Sequence, residues 1–261
     1  MIRALLVIGL VMQGASLAAD TLRLAVTTSF ENSGLAAVLI PAYEAATGDT
    51  VDLVVAGTGR ALRLGAAGDV DAALTHAPEA EAAAVASGAY RYRREVMFND
   101  FVILGVANDP AGAARAATAA EALGRIAEGE ARFVSRGDES GTHKAELALW
   151  AETGVDVAVA SGRWYLETGT GMGATLNIAV ALGAYTLSDR ASWLTFGNKR
   201  DMGIVFEGDP ALFNQYALLP ATRTGQPEAV ARFEAWLTGP GQAVIASYRL
   251  GGEALFTPNA E

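Results

Sequence analysis

Short β-branched runs alternate with helical stretches along almost the whole chain, and this alternation restricts the fold more than any other feature. Residues 22–27 (LRLAVT), 51–56 (VDLVVA) and 70–75 (VDAALT) have the compact apolar character of strands. Helical stretches follow at 33–47, from about 59, and at 78–87, the last opened by Pro78, which a first helical turn accommodates. Strand–helix–strand succession predicts a parallel sheet with helices on its faces. Residues 101–106 (FVILGV) form a further apolar strand, and Asn108-Asp109-Pro110 with the Ala/Gly-rich stretch after it marks a change. A second α/β series follows: helix 119–127, strand 132–135, helix 140–152, a helix from about 171 and a strand at 184–187. Residues 216–220 (YALLP) read as a late strand, and helices 228–237 and 242–248 close the chain. Two α/β lobes result, with the chain crossing between them near Phe101 and near Tyr216.

The first 18 residues stand apart. Arg3 precedes an apolar run over 4–12, and Ser16-Leu17-Ala18 places small residues at the −3 and −1 positions of a signal-peptidase site. The run is far shorter than the ~20 residues of a spanning helix. Export to a periplasm with cleavage after Ala18 is expected. The chain contains no cysteine, which excludes disulfides, thiolate metal ligands and a lipidated N-terminus. Removing Arg3 leaves 18 basic against 29 acidic residues, a net charge of −11. That excludes a basic face for nucleic acid or anionic membrane. A small anion remains compatible, because salt screens exposed charges beyond ~8–10 Å and local donors dominate a buried site.

The candidate chemistry lies where strands turn into helices, since helix N-termini there expose unpaired N–H groups and a partial positive charge. In the first such turn, Thr27, Thr28 and Ser29 offer three hydroxyls ahead of a helix expected to start at Ser33-Gly34. One of them could serve as a helix cap, but a cap needs only one hydroxyl. The second turn carries Gly57, Thr58 and Gly59; it lacks the further glycine and acidic residue of a dinucleotide fingerprint, and a plain tight turn and an anion contact are equally open. The third, residues 135–144 (SRGDESGTHK), is the most informative. Arg136 stands at a strand end, and Ser140-Gly141-Thr142 opens a helix. A guanidinium can give two parallel hydrogen bonds to one oxyanion; the alternative is a solvated Arg136 paired with Asp138 or Glu139. Gly171, Met172 and Gly173 start a fourth helix, with Met172 alternatively a packing residue. His76 and His143 are the two histidines, and no metal-ligand spacing accompanies them. A hydrolase built on His143 and Ser140 lacks a nucleophile elbow and an orienting partner.

Taken in order, TTSFENSGL, AGTGRAL, HAPEAE, MFNDFVILG, SRGDESGTHKAELALW, GMGATLN with AYTLSDR, and EGDPALFNQY resemble the tungstate-specific periplasmic binding proteins of ABC transporters, the TupA group. The resemblance runs from about Leu22 to Tyr248. It implies a type II periplasmic-binding-protein fold: two α/β lobes joined by a two-stranded hinge, with the ligand cleft between them. It also implies that Arg136 contacts the anion, beside the helix start Ser140-Gly141-Thr142. This chain departs from the family at Val26, where a threonine is usual, and at Phe30, where a small polar residue is usual.

The expected function follows. A monomeric periplasmic protein captures a tetrahedral oxyanion, tungstate first and molybdate next, and delivers it to the membrane permease of an ABC transporter. No enzyme activity, cofactor, metal cation or nucleic-acid partner is expected. The oxyanion ligands expected are Thr27, Thr28, Ser29, Gly57, Thr58, Arg136, Ser140, Gly141, Thr142, Gly171, Met172 and Gly173. The alternatives are a sulfate- or phosphate-binding protein, an anion sensor for a membrane receptor, and an ester hydrolase. The expected divisions are 1–18 signal peptide, 19–101 first part of lobe one, 102–215 lobe two, and 216–261 return crossing and C-terminal helices of lobe one.

Overall fold

The computed structural model describes residues 20–260; the expected signal peptide lies outside the described residues. Lobe one opens with β1 (Thr21–Thr27), α1 (Thr28–Asn32), α2 (Ala36–Thr47), β2 (Thr50–Ala56), α3 (Thr58–Ala67), β3 (Ala72–Thr75) and α4 (Pro78–Ala86). The chain leaves along β4 (Arg94–Val106). Lobe two contains α5 (Ala119–Glu128), β5 (Phe133–Ser135), α6 (Gly141–Thr153), α7 (Val157–Ala160), β6 (Tyr165–Glu167), α8 (Met172–Leu182), β7 (Thr186–Asp189), α9 (Arg190–Thr195) and β8 (Met202–Phe206). The return strand is β9 (Phe213–Pro220), followed by α10 (Pro227–Thr238) and α11 (Pro240–Ser247). A hairpin of β10 (Arg249–Leu250) and β11 (Glu253–Ala254) precedes the edge strand β12 (Thr257–Pro258). No described helix is long and apolar enough to cross a membrane.

β4 joins the lobes. Its first half, Arg94–Asp100, pairs with β9, and its second half, from Phe101, pairs with β7 and β8. The lobe-one sheet runs β12-β4-β9-β3-β1-β2. β1 is parallel to β2 and β3, whereas β9 is antiparallel to both β3 and β4. The sheet is therefore mixed rather than parallel throughout, because a chain that leaves along one strand and returns along its neighbour must run the opposite way. At the crossing, Arg190 donates from Nε and Nη2 to the two Asp100 oxygens at 2.7 and 2.5 Å, and from Nη2 to Glu207 at 2.6 Å.

Strand alternation puts apolar side chains on both faces of each sheet. Leu22, Leu24, Val26, Leu74 and Leu218 pack with Phe30, Tyr43, Phe233 and Trp236 on one face of lobe one. Ala25, Ala73, Ala217 and Leu219 face Leu62 and Tyr90 on the other. In lobe two, Phe101 and Ile103 join Phe133, Trp150 and Tyr185, while Val102 and Leu104 join Met172, Leu176 and Trp193. Both family departures thus have a core explanation: Val26 and Phe30 are fully buried against the lobe-one core.

The helix expected over 33–47 starts three residues later, and a short helix that was not expected precedes it. Residues 33–47 do not form a single helix from Ser33; α1 ends before it, and α2 begins at Ala36. Gly34 adopts φ +79°, a left-handed backbone that breaks the helix, and Ser33 stabilises the corner by donating to the Phe30 carbonyl at 2.7 Å.

Candidate functional site

The first turn of α3, from lobe one, and the first turn of α6, from lobe two, meet across the cleft. A methyl group added at Gly141 would lie 2.9 Å from His76 Cε1 and 3.3 Å from Thr58 Oγ1. Only glycine permits this approach. Both helices aim free N–H groups at the gap, with Gly57 and Ser140 as their N-caps.

Polar atoms gather here without partners. Among the described residues, eight buried side-chain N or O atoms lack a hydrogen bond, and seven belong to this neighbourhood: Thr58 Oγ1, Thr142 Oγ1, Arg136 Nε, Ser192 Oγ, Tyr216 OH, Asp189 Oδ2 and Asn99 Nδ2. Leaving one buried polar group unpaired costs roughly 1–3 kcal/mol, so such a concentration marks a place built for a polar guest. Six of the seven atoms can donate. Arg136 is only 4 % exposed. Its Nη2 pairs with Asp138 Oδ2 at 2.5 Å, and its Nε stays free. Its charge reaches both His76 and Asp189.

The lone carboxyl in this group is Asp189. Its Oδ1 caps α9 by accepting from Ser192 N at 2.8 Å. Burial pushes its pKa up, against the opposing pull of Ser192 and Arg136. Tyr216 stacks on His76 at 4.6 Å between centroids, and burial, reinforced by the Asp189 charge, keeps its hydroxyl protonated. His76 is held neutral chiefly by burial, which drops its pKa to about 4.

The sequence-derived candidates divide as follows. Thr27 caps α1, accepting from Phe30 N at 3.2 Å, and its hydroxyl lies 3.0 Å from Ser29 Oγ. Ser29 bonds His76 Nε2 at 2.7 Å. Thr28 is half-buried. Thr58, Arg136, Gly141 and Thr142 are buried at the meeting of the two helices; Gly57 is exposed beside them. Ser140 caps α6 by accepting from His143 N at 3.2 Å, and its own N–H donates to Asp138 Oδ1. Met172 packs into the lobe-two core, whereas Gly171 and Gly173 are exposed; Gly173 borders a shallow groove with Asn32 and Ser192. His143 Nδ1 accepts from Glu139 N, a main-chain role at a turn where Glu139 has φ +58°.

His76, Asn99, Asp189, Ser192, Asn214 and Tyr216 were not among the candidates. His76, Asp189 and Asn214 sit at strand ends or just past them, Asn99 and Tyr216 lie inside β4 and β9, and Ser192 lies in α9; only pairing of distant strands brings them together. The HAPEAE, MFNDFVILG, AYTLSDR and EGDPALFNQY stretches contained five of these six residues, and their recurrence was the available signal. Ser192 lay just beyond. A surface depression of about 800 Å³ between α5 and α6 on the outside of lobe two contains none of the unpaired atoms.

Comparison with known proteins places the chain among relatives. A PBP superfamily domain matches residues 13–240. The chain is 40 % identical to the tungstate-binding protein TupA of Peptoclostridium acidaminophilum over 246 residues, which covers 91 % of this chain and 85 % of the relative. Among solved structures, the tungstate-binding protein TupA from Desulfovibrio alaskensis G20 superposes with a TM-score of 0.81 at 42 % identity, covering 93 % of this chain and all of that one. The tungstate ABC transporter structure from Geobacter sulfurreducens gives a TM-score of 0.78 at 44 % identity, covering 87 % of this chain and 98 % of that one.

Proposed function

Since the chain belongs to the TupA family of tungstate-binding proteins within the PBP superfamily, we propose that it captures tungstate, with molybdate next in preference, and hands it to an ABC-transporter permease in the periplasm. The observation that carries this reading is the concentration of unpaired buried donors from both lobes on one point. Thr58 and Thr142 hydroxyls, Arg136 Nε and the first-turn N–H groups of α3 and α6 supply donors to the oxygens of a fully deprotonated dianion. Ser29, Ser140 and Gly141 stand beside these donors, and Thr27, Thr28, Gly57 and the Gly171–Gly173 turn border the site. Asp138 is engaged with Arg136 and the Ser140 N–H, and so supports the clamp rather than facing the anion. We assign residues 19–101 and 216–261 to one lobe and 102–215 to the other; the switch of β4 partners between Asp100 and Phe101, and the pairing of β9 with the first half of β4 from Phe213, support crossings close to those bounds. The protein acts as a monomer, without cofactor or nucleic acid.

Calorimetric titration with tungstate, molybdate, sulfate and phosphate tests the proposal. The first two should bind far more tightly, because a cage of fixed donors discriminates by oxygen distance. Equal affinity for all four would sink it.

One observation favours a second reading. Ser29, His76 and Asn214 have the connectivity of nucleophile, base and orienting group. However, a neutral carboxamide does not stabilise an imidazolium, and a ring held near 4 is a weak base at neutral pH. Turnover of a small acyl ester, lost in Ser29→Ala, would establish the hydrolase instead.

A further inference from the structure

Five buried side chains form one unbroken hydrogen-bond chain behind the cleft. Thr27 Oγ1 is 3.0 Å from Ser29 Oγ, Ser29 Oγ 2.7 Å from His76 Nε2, His76 Nδ1 2.8 Å from Asn214 Oδ1, and Asn214 Nδ2 2.6 Å from Asn99 Oδ1. A neutral imidazole carries a single N–H, so the chain has two polarities.

In the first polarity, His76 donates from Nδ1 to Asn214 and accepts the Ser29 proton at Nε2. Ser29 then accepts from Thr27, whose oxygen already takes the Phe30 N–H. Both hydroxyl protons are consumed within the protein, and Thr27 and Ser29 can show an anion only lone pairs. In the second polarity, each carboxamide turns over in place. Asn99 Nδ2 donates to Asn214 Oδ1, Asn214 Nδ2 to His76 Nδ1, and His76 Nε2–H to Ser29 Oγ. The Ser29 and Thr27 protons are then free to point into the cleft. The two ends of a carboxamide have nearly the same shape, so the reversal needs no repacking.

We propose that an oxyanion in the cleft selects the second polarity, which makes His76 the positioning residue that turns Ser29 and Thr27 into donors. The unpaired Asn99 Nδ2 is the independent sign of it. That atom is a buried donor without a partner in the first polarity and pairs with Asn214 in the second, where the Asn99 carbonyl oxygen takes its place. Tyr216 OH faces Ser29, Asn214 and Asn99 and forms no hydrogen bond with any of them, so it does not lock the chain either way. Burial, which keeps the ring neutral, is what confines His76 to one proton at a time.

The proposal rests on the oxyanion reading above, and the test separates the two. The mature protein has two histidines, so imidazole nitrogen NMR of uniformly ¹⁵N-labelled protein resolves both. With saturating tungstate, His76 should show a protonated Nε2 and an unprotonated Nδ1. Saturated binding with Nε2 unprotonated, or with both nitrogens protonated, overturns the relay alone. No tungstate binding by the wild type overturns the oxyanion reading and the relay with it. In parallel, His76→Leu removes the donor to Ser29 and should weaken tungstate binding about tenfold to a hundredfold. His76→Gln, whose amide can donate from nearly the same point, should recover most of that loss. A His76→Leu protein that binds as tightly as wild type overturns the relay, and the NMR result stands if either variant fails to fold.

Discussion

Arg136 carries more than one obligation. It offers a free Nε to the cleft and holds Asp138, which in turn holds the Ser140 N–H at the start of α6. Arg136→Ala should therefore weaken tungstate binding by the ~2–5 kcal/mol typical of a truncated buried charge pair, roughly thirtyfold to several-thousandfold. It should also lower the melting temperature without anion, because a partly buried Asp138 loses its cation. Arg136→Lys should recover only part of the affinity, since an ammonium cannot copy the planar fork. Unchanged affinity in Arg136→Ala would take the residue out of the site. Glu146 supports a prediction about stability alone. It is buried in lobe two, where Tyr165 OH donates to it at 2.7 Å and Trp150 Nε1 at 3.3 Å. Burial raises its pKa from 4.5 to about 7 despite those donors. A raised folded pKa means the folded state holds the proton longer. Its contribution is complete below about 4.5 and lost as pH rises through about 7. The shift corresponds to on the order of 3 kcal/mol. Glu146→Gln should remove this slope, so wild type minus variant stability must fall between those two pH values in denaturant titrations; a constant difference would contradict it.

At the scale of elements, the junction of α3 and α6 decides whether the cleft can close. Gly141 is at the first position of α6 with ordinary helical entry, so alanine is acceptable to the helix itself. The added methyl would meet His76 and Thr58 at 2.9 and 3.3 Å, both buried and fixed by packing. Overpacking of this kind costs about 1–3 kcal/mol. Here it falls on the approach of the lobes, so Gly141→Ala should lower affinity roughly five- to hundredfold. Melting without anion should change less, because each lobe keeps its own core. Affinity equal to wild type would show that the helices do not close on the ligand. The elements themselves were unevenly legible. α4, α5, α6 and α10 were readable from proline, alanine-rich periodicity and capping. β4 was seen only from Phe101, because its first half, REVMFND, is too polar to look like a strand until β9 covers it. β6, β8 and α9 were missed for a similar reason: each is short and stabilised by neighbours distant in sequence.

For the whole molecule, two lobes joined by β4 and β9, with Arg190 bracing the crossing, form a hinge around the cleft. Tungstate should reduce the radius of gyration measured by X-ray scattering and raise the melting temperature. The stabilisation should follow RT ln(1 + [L]/Kd), about 2.7 kcal/mol at a hundredfold excess over Kd. Saturation without any compaction would refute hinge closure around the anion. Alternation was enough to indicate two α/β lobes, and the glycine–hydroxyl turns marked the loops carrying Thr58, Arg136 and Gly141 as candidates; the two-lobed binding-protein fold and the oxyanion guest came from the resemblance of those stretches to a known family. Alternation and turns are local: a strand needs its apolar run, and a helix start needs its cap and free N–H groups. Which polar groups stand behind the loops was decided only by the tertiary structure. His76 and Asn214 are 138 residues apart, and neither carries a local pattern that announces the other. Their 2.8 Å contact arises because β9 returns antiparallel beside β3 and β4, and long-range strand pairing has no signature in the residues on either side of it.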